Sequence, residues 1–412
     1  MTPEASRGRR LAAYLGLNPS MLGLMAMVVL VGLGEKMAER FLPIYLLALG
    51  GGALAVGLLN GLDNLLSALY SFPGGWIADR WGEKRALLIF NLVAMAGFLV
   101  VILIPRWEAV IAGSVLFLSW TAISLPASMS LVARVLPPGK RTMGVSMHSL
   151  VRRLPMALGP LLGGAAIALW GEQTGVRVAF AAALVLAAVA LAAQQRLIAA
   201  DETPAGDHGL HLRGAFALIT PAMRRLLAAD ILVRFCEQIP YAFVVIWCMK
   251  VIDQPVGAVQ FGLLTTVEMA TAVLIYVPVA HFADRGAKKP FVLATFVFFS
   301  LFPLVLYFCQ SFWPLVAAFA LRGLKEFGEP TRKALIMALA PEGSKATAFG
   351  AYYLLRDVVV SLAAFGGALL WMISPAVNLF TAFGFGALGT LWFALHGRDE
   401  GQAGAGAGQG RQ

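Results

Sequence analysis

Long apolar runs dominate the chain, separated by short polar breaks from residue 20 to residue 395. A membrane-spanning helix needs about 20 mostly apolar residues. Twelve windows meet this requirement, at residues 20–48, 54–78, 86–104, 109–134, 144–170, 178–198, 225–249, 257–282, 289–308, 313–338, 347–372 and 376–395. The pattern predicts an all-α, polytopic membrane protein with twelve transmembrane helices.

The distribution of charge supports this prediction and gives an orientation. Only 13% of the residues are charged and 59% are hydrophobic, whereas soluble domains carry about 25% charged residues. With both termini in the cytoplasm, the only lysines and arginines on outer loops are Arg106, Arg177 and Lys250, which follows the positive-inside rule. The net charge of +10 is therefore interpreted as topological, and no nucleic-acid partner is expected.

The chain repeats itself at an offset of about 205 residues. Residues 57–80, "GLLNGLDNLLSALYSFPGGWIADR", lie without a gap over residues 262–285, "GLLTTVEMATAVLIYVPVAHFADR". Asp63 falls over Glu268, so an acid inside a helix is kept in both copies. Internal repeats of this kind mark transporters, whose substrate sites lie near mid-membrane where the repeats meet.

The repeat predicts two pseudo-symmetric halves of six helices in the same orientation. The predicted boundaries are 1–198 for the N-terminal half, 199–224 for a cytoplasmic linker, 225–396 for the C-terminal half and 397–412 for a disordered cytoplasmic tail. The linker is polar and rich in turn-forming residues, and the tail is of low complexity.

A sequence motif lies between the second and third predicted helices. The stretch "GGWIADRWGEKR" contains Gly75, Asp79, Arg80, Gly82, Lys84 and Arg85, and a degenerate copy with Asp284 and Arg285 follows the eighth helix. This motif resembles the cytoplasmic signature of the major facilitator superfamily. The resemblance implies the fold of that superfamily, secondary transport, and a loop that latches the cytoplasmic side in one state.

A second motif, "LGPLLGG", has Gly159-Pro160 and Gly163-Gly164 in the fifth helix. It is similar to part of the signature of the drug/proton antiporter branch. The upstream glycines of that signature are replaced by His148 and Pro155. A glycine-rich helix-packing surface explains the same residues, and both interpretations stay open here.

Seventeen charges are counted inside the predicted helices. The bases are Lys36, Arg40, Arg152, Arg153, Arg234, Arg322, Lys325 and Arg356, and the acids are Glu35, Glu39, Asp63, Asp230, Glu237, Glu268, Glu326, Glu329 and Asp357. One such charge at mid-membrane costs about 2.5–3.5 kcal/mol, so each needs a partner or a wet cavity. On the first helix, only Lys36 and Glu39 have the spacing to pair favourably.

In the superfamily, helices 1, 4, 7 and 10 line a central cavity, and the charges here concentrate on helices 1, 7 and 10. The predicted substrate and coupling residues are Glu35, Lys36, Glu39, Arg40, Arg153, Arg234, Glu237, Lys325, Glu326 and Arg356. A buried acid whose arginine partner moves away could couple proton binding to transport. The alternative is that these charges only fix helix packing.

The sequence thus predicts a secondary active transporter for a small polar or charged organic solute, working by alternating access and proton-coupled. The alternatives are a multidrug/proton antiporter and a transport-dead membrane sensor or scaffold. No enzyme motif is found, and the three cysteines show no metal-like spacing. We expect no catalytic residue, metal or cofactor, only an ion gradient as the energy source. The expected setting is a monomer in the bilayer of a bacterial inner membrane.

Overall fold

The computed structural model describes residues 18–118, 120–136, 148, 151–199, 216–283, 288–341 and 345–397. This part of the chain holds helices and no strand. The helices are α1 (Pro19–Glu39), α2 (Leu42–Ala48), α3 (Gly52–Trp81), α4 (Glu83–Leu103), α5 (Trp107–Phe117), α6 (Trp120–Val135), α7 (Arg153–Leu197), α8 (Pro221–Gln238), α9 (Ala258–Ala283), α10 (Lys289–Phe308), α11 (Phe312–Gly323), α12 (Glu329–Leu339), α13 (Lys345–Ile373) and α14 (Pro375–His396). The prediction of a helical membrane protein is confirmed.

Ten stretches of the described chain are long and apolar enough to cross a membrane. They correspond to the twelve predicted windows with two differences. The 45-residue helix α7 covers two of those windows, and Gly171 interrupts it at φ 78°. At 1.5 Å per residue, α7 is about twice as long as one crossing requires. Residues 313–338 are not among the ten, because this window is divided between α11 and α12 and carries several charges.

Three helices begin with a capping side chain followed directly by proline. Asn18, Thr220 and Ser374 accept hydrogen bonds from backbone N–H groups three residues later, at 2.8, 3.2 and 3.0 Å. Proline suits the first helical position because its missing N–H would be unpaired there anyway. These local signals start α1, α8 and α14.

Proline also accompanies two breaks inside predicted windows. The window 20–48 divides into α1 and α2 at Arg40 and Phe41, just before Pro43. The window 313–338 divides near Gly328, just before Pro330 at the start of α12. Proline cannot donate the helical hydrogen bond, so a new helix begins where the old one ends.

The chain divides into two compact units. The first comprises Met1–Gly51 and Leu66–His208, and the second comprises Gly52–Leu65 and Gly209–Gln412. The division at His208 falls inside the predicted linker, but the first part of α3 groups with the second unit. In the first unit a triad of Phe98, Phe117 and Phe180 packs with ring centroids 5.2–5.7 Å apart.

Small residues explain why Gly52–Leu65 belongs to the second unit. A Cβ atom on Gly57 or Gly61 would collide with Ala368 or Phe365 on α13. Asn60 donates to the backbone oxygen of Gln238 at 2.9 Å. These contacts let this part of α3 pack tightly on the second unit, because no side chain separates the helices.

Glycines also bring α1 against α7 in the first unit. A Cβ on Gly163 would overlap the carbonyl oxygen of Met37, and one on Gly159 would meet Lys36 and Met37. On the other side, Gly34 of α1 faces the backbone of Ala183. The motif "LGPLLGG" therefore forms a helix-packing surface in this structure.

Candidate functional sites

The charges of α1 form a compact cluster around one lysine. Lys36 Nζ contacts Glu39 Oε2 and lies 3.3 Å from Glu35 Oε1. The expectation that Lys36 would pair only with Glu39 is wrong, because its long side chain also reaches the adjacent residue. We name Glu35, Lys36 and Glu39 the α1 cluster.

A cavity of about 390 Å³ lies beside the α1 cluster. Its lining residues come from α1, α6 and the start of α7, and they are Val28, Gly32, Glu35, Lys36, Trp120, Ser124, Leu125, Ser128, His148, Arg152, Pro155 and Met156. Glu35 is 3% exposed, and its Oε2 atom has no hydrogen-bond partner among the described residues. The cavity wall thus combines charges of both signs with polar residues, namely two serines and a histidine, and with apolar side chains.

The two other predicted residues of the first unit are arginines at helix ends. Arg40 is half-buried at the end of α1, and Arg153 is half-buried at the start of α7. The cavity itself is lined by the neighbouring Arg152 instead of Arg153. His148, named only in connection with the antiporter motif, is buried against the same cavity.

The second unit carries a larger charged network, centred on Asp230 of α8. Asp230 Oδ2 accepts hydrogen bonds from Arg332, from the Tyr352 hydroxyl at 3.1 Å and from Arg356 at 3.5 Å. Arg234, one turn along α8, lies 3.9 Å from its Oδ1. Asp230 and Arg332 are both 1% exposed, so this pair is shielded from solvent.

Ion pairs continue from this centre along α8, α9 and α11. Arg234 contacts Glu237 at 2.6 Å, and Glu237 binds Lys325 at 2.9 Å. Lys325 lies 3.2 Å from Glu268, which Arg322 approaches at 3.4 Å. Each of these acids therefore bridges two bases, and we name the whole set the α8 network: Asp230, Arg234, Glu237, Glu268, Arg322, Lys325, Glu329, Arg332 and Arg356.

A second cavity, of about 300 Å³, lies against one end of the α8 network. Its lining residues are Cys236, Glu237, Val244, Phe298, Phe299, Phe302, Arg322 and Lys325. The Arg322 guanidinium lies 4.9 Å from the Phe302 ring centroid, within cation–π distance. The charged groups of this cavity are already engaged with one another.

The structure brings together four of the predicted residues of the second unit, namely Arg234, Glu237, Lys325 and Arg356. Glu326 lies half-buried beside Lys325. The sequence analysis omitted Arg332, which is the largest fully buried side chain of the described residues. Its spacing of three from Glu329 on a helical face was the signal that could have identified it. The binding roles of all these residues stay predictions.

The loop motif lies between α3 and α4, and its glycine and lysine each have a structural role there. Gly82 has φ 89°, a conformation that residues with a Cβ atom rarely adopt. Lys84 donates to the carbonyl oxygens of Gln195 and Ile198, at 2.9 and 2.7 Å, and so caps the end of α7. A cation at this position also complements the helix dipole.

The second unit uses the same arrangement 205 residues later. Lys289 Nζ donates to the carbonyl oxygen of Ala394, in the last turn of α14, at 2.9 Å. A lysine after each copy of the motif thus caps the last long helix of its own unit. The repeat therefore extends from the sequence to individual hydrogen bonds.

The other motif residues lie on α3, on α4 or outside the described residues. Arg80 is exposed and lies over the Trp76 ring at 5.2 Å, and Arg85 is also exposed. Gly75 and Asp79 lie on α3, whereas Asp284 and Arg285 fall outside the described residues. Among the described residues, no group of three or more potential metal ligands is placed to hold a metal ion.

A buried polar chain connects the first cavity with the motif lysine. Trp120 Nε1 donates to Asn91 at 2.8 Å, Asn91 Nδ2 donates to Gln194 at 2.7 Å, and Gln194 Nε2 donates to the Lys84 carbonyl at 2.9 Å. Asn91 and Gln194 are completely buried. The chain fixes the orientation of the Trp120 ring in the cavity wall.

The family profile of the Major Facilitator Superfamily matches residues 24–252, more than half of the chain. The chain belongs to this superfamily, as its loop motif predicted. YqjV, an uncharacterised MFS-type transporter of Bacillus subtilis, is 24% identical over 61% of this chain and 62% of its own length. YfkF of the same organism, also uncharacterised, is 26% identical over 35% of each chain. The chain thus spans less than two thirds of these relatives.

Solved structures share the fold at low sequence identity. A peptide transporter POT in complex with sulfate has a TM-score of 0.75 at 15% identity, covering 92% of this chain and 94% of its own. The nucleoside transporter NupG has a TM-score of 0.78 at 14% identity, covering 92% and 100%. A bacterial homologue of the lysosomal transporter Spinster reaches 0.66 at 14% identity, covering 92% and 97%. The fold is therefore that of the superfamily's transporters.

Proposed function

We propose that this protein is a secondary transporter that moves a small polar or charged organic solute by alternating access, coupled to protons, across a bacterial plasma membrane. The observation that carries the proposal is the cavity of the first unit, with Glu35, Lys36 and Arg152 in its wall. Ionisable groups inside a membrane protein are costly and mark substrate or proton pathways.

Glu35 is the best candidate for proton coupling. It is buried beside Lys36, and one of its oxygens has no hydrogen-bond partner. A proton on this carboxyl group would cancel its attraction to Lys36, so protonation and the geometry of the α1 cluster are linked. The peptide and nucleoside transporters with this fold make polar solutes a reasonable first panel.

A multidrug/proton antiporter has less support. The glycines that suggested it pack α7 against α1, which accounts for them without antiport. The second cavity presents Glu237, Arg322 and Lys325, and its acid is already engaged by Arg234 and Lys325, which disfavours a cationic drug there. Cationic dyes nevertheless belong in the screen, since their transport would favour the antiporter.

The test measures solute-induced pH change inside proteoliposomes that hold the purified protein. Amino acids, small peptides, nucleosides, organic anions, sugars and cationic dyes are added in turn. We expect a polar solute to move protons with wild type and with Glu108→Gln, an exposed control acid, but not with Glu35→Gln.

Other outcomes revise the proposal in defined ways. Solute flux without proton movement would leave a facilitator and remove the coupling role of Glu35. Saturable binding without flux would overturn transport and favour the sensor or scaffold.

A further inference from the structure

The first cavity contains two charged groups whose pairing with the described residues is incomplete. Glu35 Oε2 is buried and accepts no hydrogen bond from these residues. Arg152 makes no ion pair and no side-chain hydrogen bond with the part of the chain that the structure describes. Both residues line the same cavity, yet they form no ion pair with each other at 4.0 Å or less.

From this juxtaposition we propose that the cavity binds a small amino-carboxylate solute, whose ammonium group contacts Glu35 and whose carboxylate contacts Arg152. The inference rests on the proposed transport function and names the chemical class of its substrate. A buried carboxylate oxygen without a hydrogen-bond partner is rare in native structures, so Glu35 Oε2 points to a ligand group, and the half-buried Arg152 lines the same cavity. A guanidinium also matches a carboxylate in geometry, with two parallel donors.

Charge balance favours a zwitterion over a simple anion. Lys36 is engaged by Glu35 and Glu39, so Arg152 is the cation best placed to receive an anionic group. Glu35 and Glu39 share one lysine, so the α1 cluster carries a net negative charge that repels an anion without a cationic end. A ligand with both charges satisfies both groups at once.

The rest of the cavity wall suits a ligand whose two charged groups are separated by a short apolar chain. Val28, Leu125, Met156 and the Trp120 ring contribute apolar surface, and the hydrogen bond to Asn91 holds that ring in place. The distance between the two ligand charges is therefore the property that the site should select.

The test uses a ladder of ω-amino acids in calorimetric titrations of the detergent-purified protein. Glycine, β-alanine, 4-aminobutanoate, 5-aminopentanoate and 6-aminohexanoate differ only in the separation of their charges. We expect one length to bind best. Its N-acetyl and amide derivatives should bind roughly tenfold or more weakly, because each leaves one charged group of the cavity unpaired.

Variants assign each ligand charge to its residue. Glu35→Gln should reduce the preference for the zwitterion over its N-acetyl derivative to less than about threefold, while the preference over the amide persists. Arg152→Gln should show the reverse pattern. The exposed pair Arg106 and Glu108 supplies matched controls, Arg106→Gln and Glu108→Gln, which should bind like wild type.

Three results would overturn the assignment: no ladder member binds, the N-acetyl derivative binds as well as the zwitterion, or both cavity variants weaken every ligand equally. The ligand derivatives test the wild-type chain, so the answer does not depend on the folding of a variant. Flux of another solute in proteoliposomes without ladder binding would keep transport and reject this site. Ladder binding without any flux would keep the site and reject transport.

Discussion

The α1 cluster and the α8 network use the same kinds of residue but differ in how completely their charges are paired. In the α8 network, Asp230 contacts three arginines and a tyrosine, and Glu237 bridges Arg234 and Lys325. In the α1 cluster, Glu35 forms an ion pair with one lysine, and its other oxygen accepts no hydrogen bond from the described residues. Each acid of the α8 network lies within ion-pair distance of two or more bases, which holds helices in place, whereas Glu35 has a single base and can accept a ligand group or a proton.

The contrast between the two clusters separates the two roles predicted for these charges, which are helix packing and ligand binding. Packing alone accounts for much of the α8 network, because its members join α8, α9, α11, α12 and α13. It does not account for the cavity beside α1, where packing would be better served by pairing Glu35 directly with Arg152. We therefore assign ligand chemistry first to the cavity of the first unit.

The largest expected effect is the removal of the centre of the α8 network. Asp230→Asn leaves Arg332, which is 1% exposed, without its main partner. Breaking a buried ion pair in this way costs about 3–5 kcal/mol. A large fall in the thermal unfolding midpoint, followed by tryptophan fluorescence in detergent, is the expected result.

Lys333→Ala is the matched control for that experiment. Lys333 is 53% exposed and lies 3.6 Å from Glu329, so its loss should cost only about 0–1 kcal/mol. Equal effects of Asp230→Asn and Lys333→Ala would mean that the network contributes no special stability.

The second-largest effect on stability is expected from a comparison of two glutamates, Glu237 and Glu35. Glu237→Gln removes two close contacts to bases and should destabilise by about 1.5–3 kcal/mol. Glu35→Gln removes one contact at 3.3 Å and leaves Lys36 paired with Glu39, so it should cost less, about 1 kcal/mol. The unfolding midpoints of the two variants measure both losses of stability. A greater loss of stability for Glu35→Gln would contradict the distinction between the two clusters.

The third prediction concerns the glycine contact that positions the α1 cluster. Gly163→Ala places a Cβ atom against the carbonyl oxygen of Met37, so α1 and α7 must separate. Overpacking of this kind costs about 1–3 kcal/mol. Gly366→Ala on α13 has open space around its Cβ and should be neutral or stabilising by up to about 1 kcal/mol. Parallel unfolding curves for the two variants would show that the α1–α7 contact tolerates expansion.

The smallest effect is expected at the two capping lysines. Lys84→Met removes the donor to the last carbonyls of α7, and Lys289→Met removes the corresponding donor to Ala394. Each substitution should cost about 0.3–1 kcal/mol, and the two costs should be similar. The unfolding midpoint measures both, and a large effect of only one lysine would argue against equivalent roles in the two units.

Much of the fold follows from local chemistry. The apolar windows predicted the helices, and the pairs Asn18-Pro19 and Ser374-Pro375 mark helix starts. The division of windows 20–48 and 313–338 was not predicted, although Pro43 and Pro330 carried the signal. The site was only partly predictable, because helix spacing identifies possible partners on one helix but not on another.

The sequence by itself determined a helical membrane protein, its internal repeat and its superfamily, since hydrophobic length, turn residues and short motifs act locally. The tertiary structure alone decided that Arg332 meets Asp230 across 102 positions, that Asn91 joins Trp120 to Gln194, and that Arg152 lines the cavity without an ion pair. The physical reason is that charge pairing depends on the rotation and close approach of whole helices. In the first unit those are set by glycine contacts such as Gly163 against Met37.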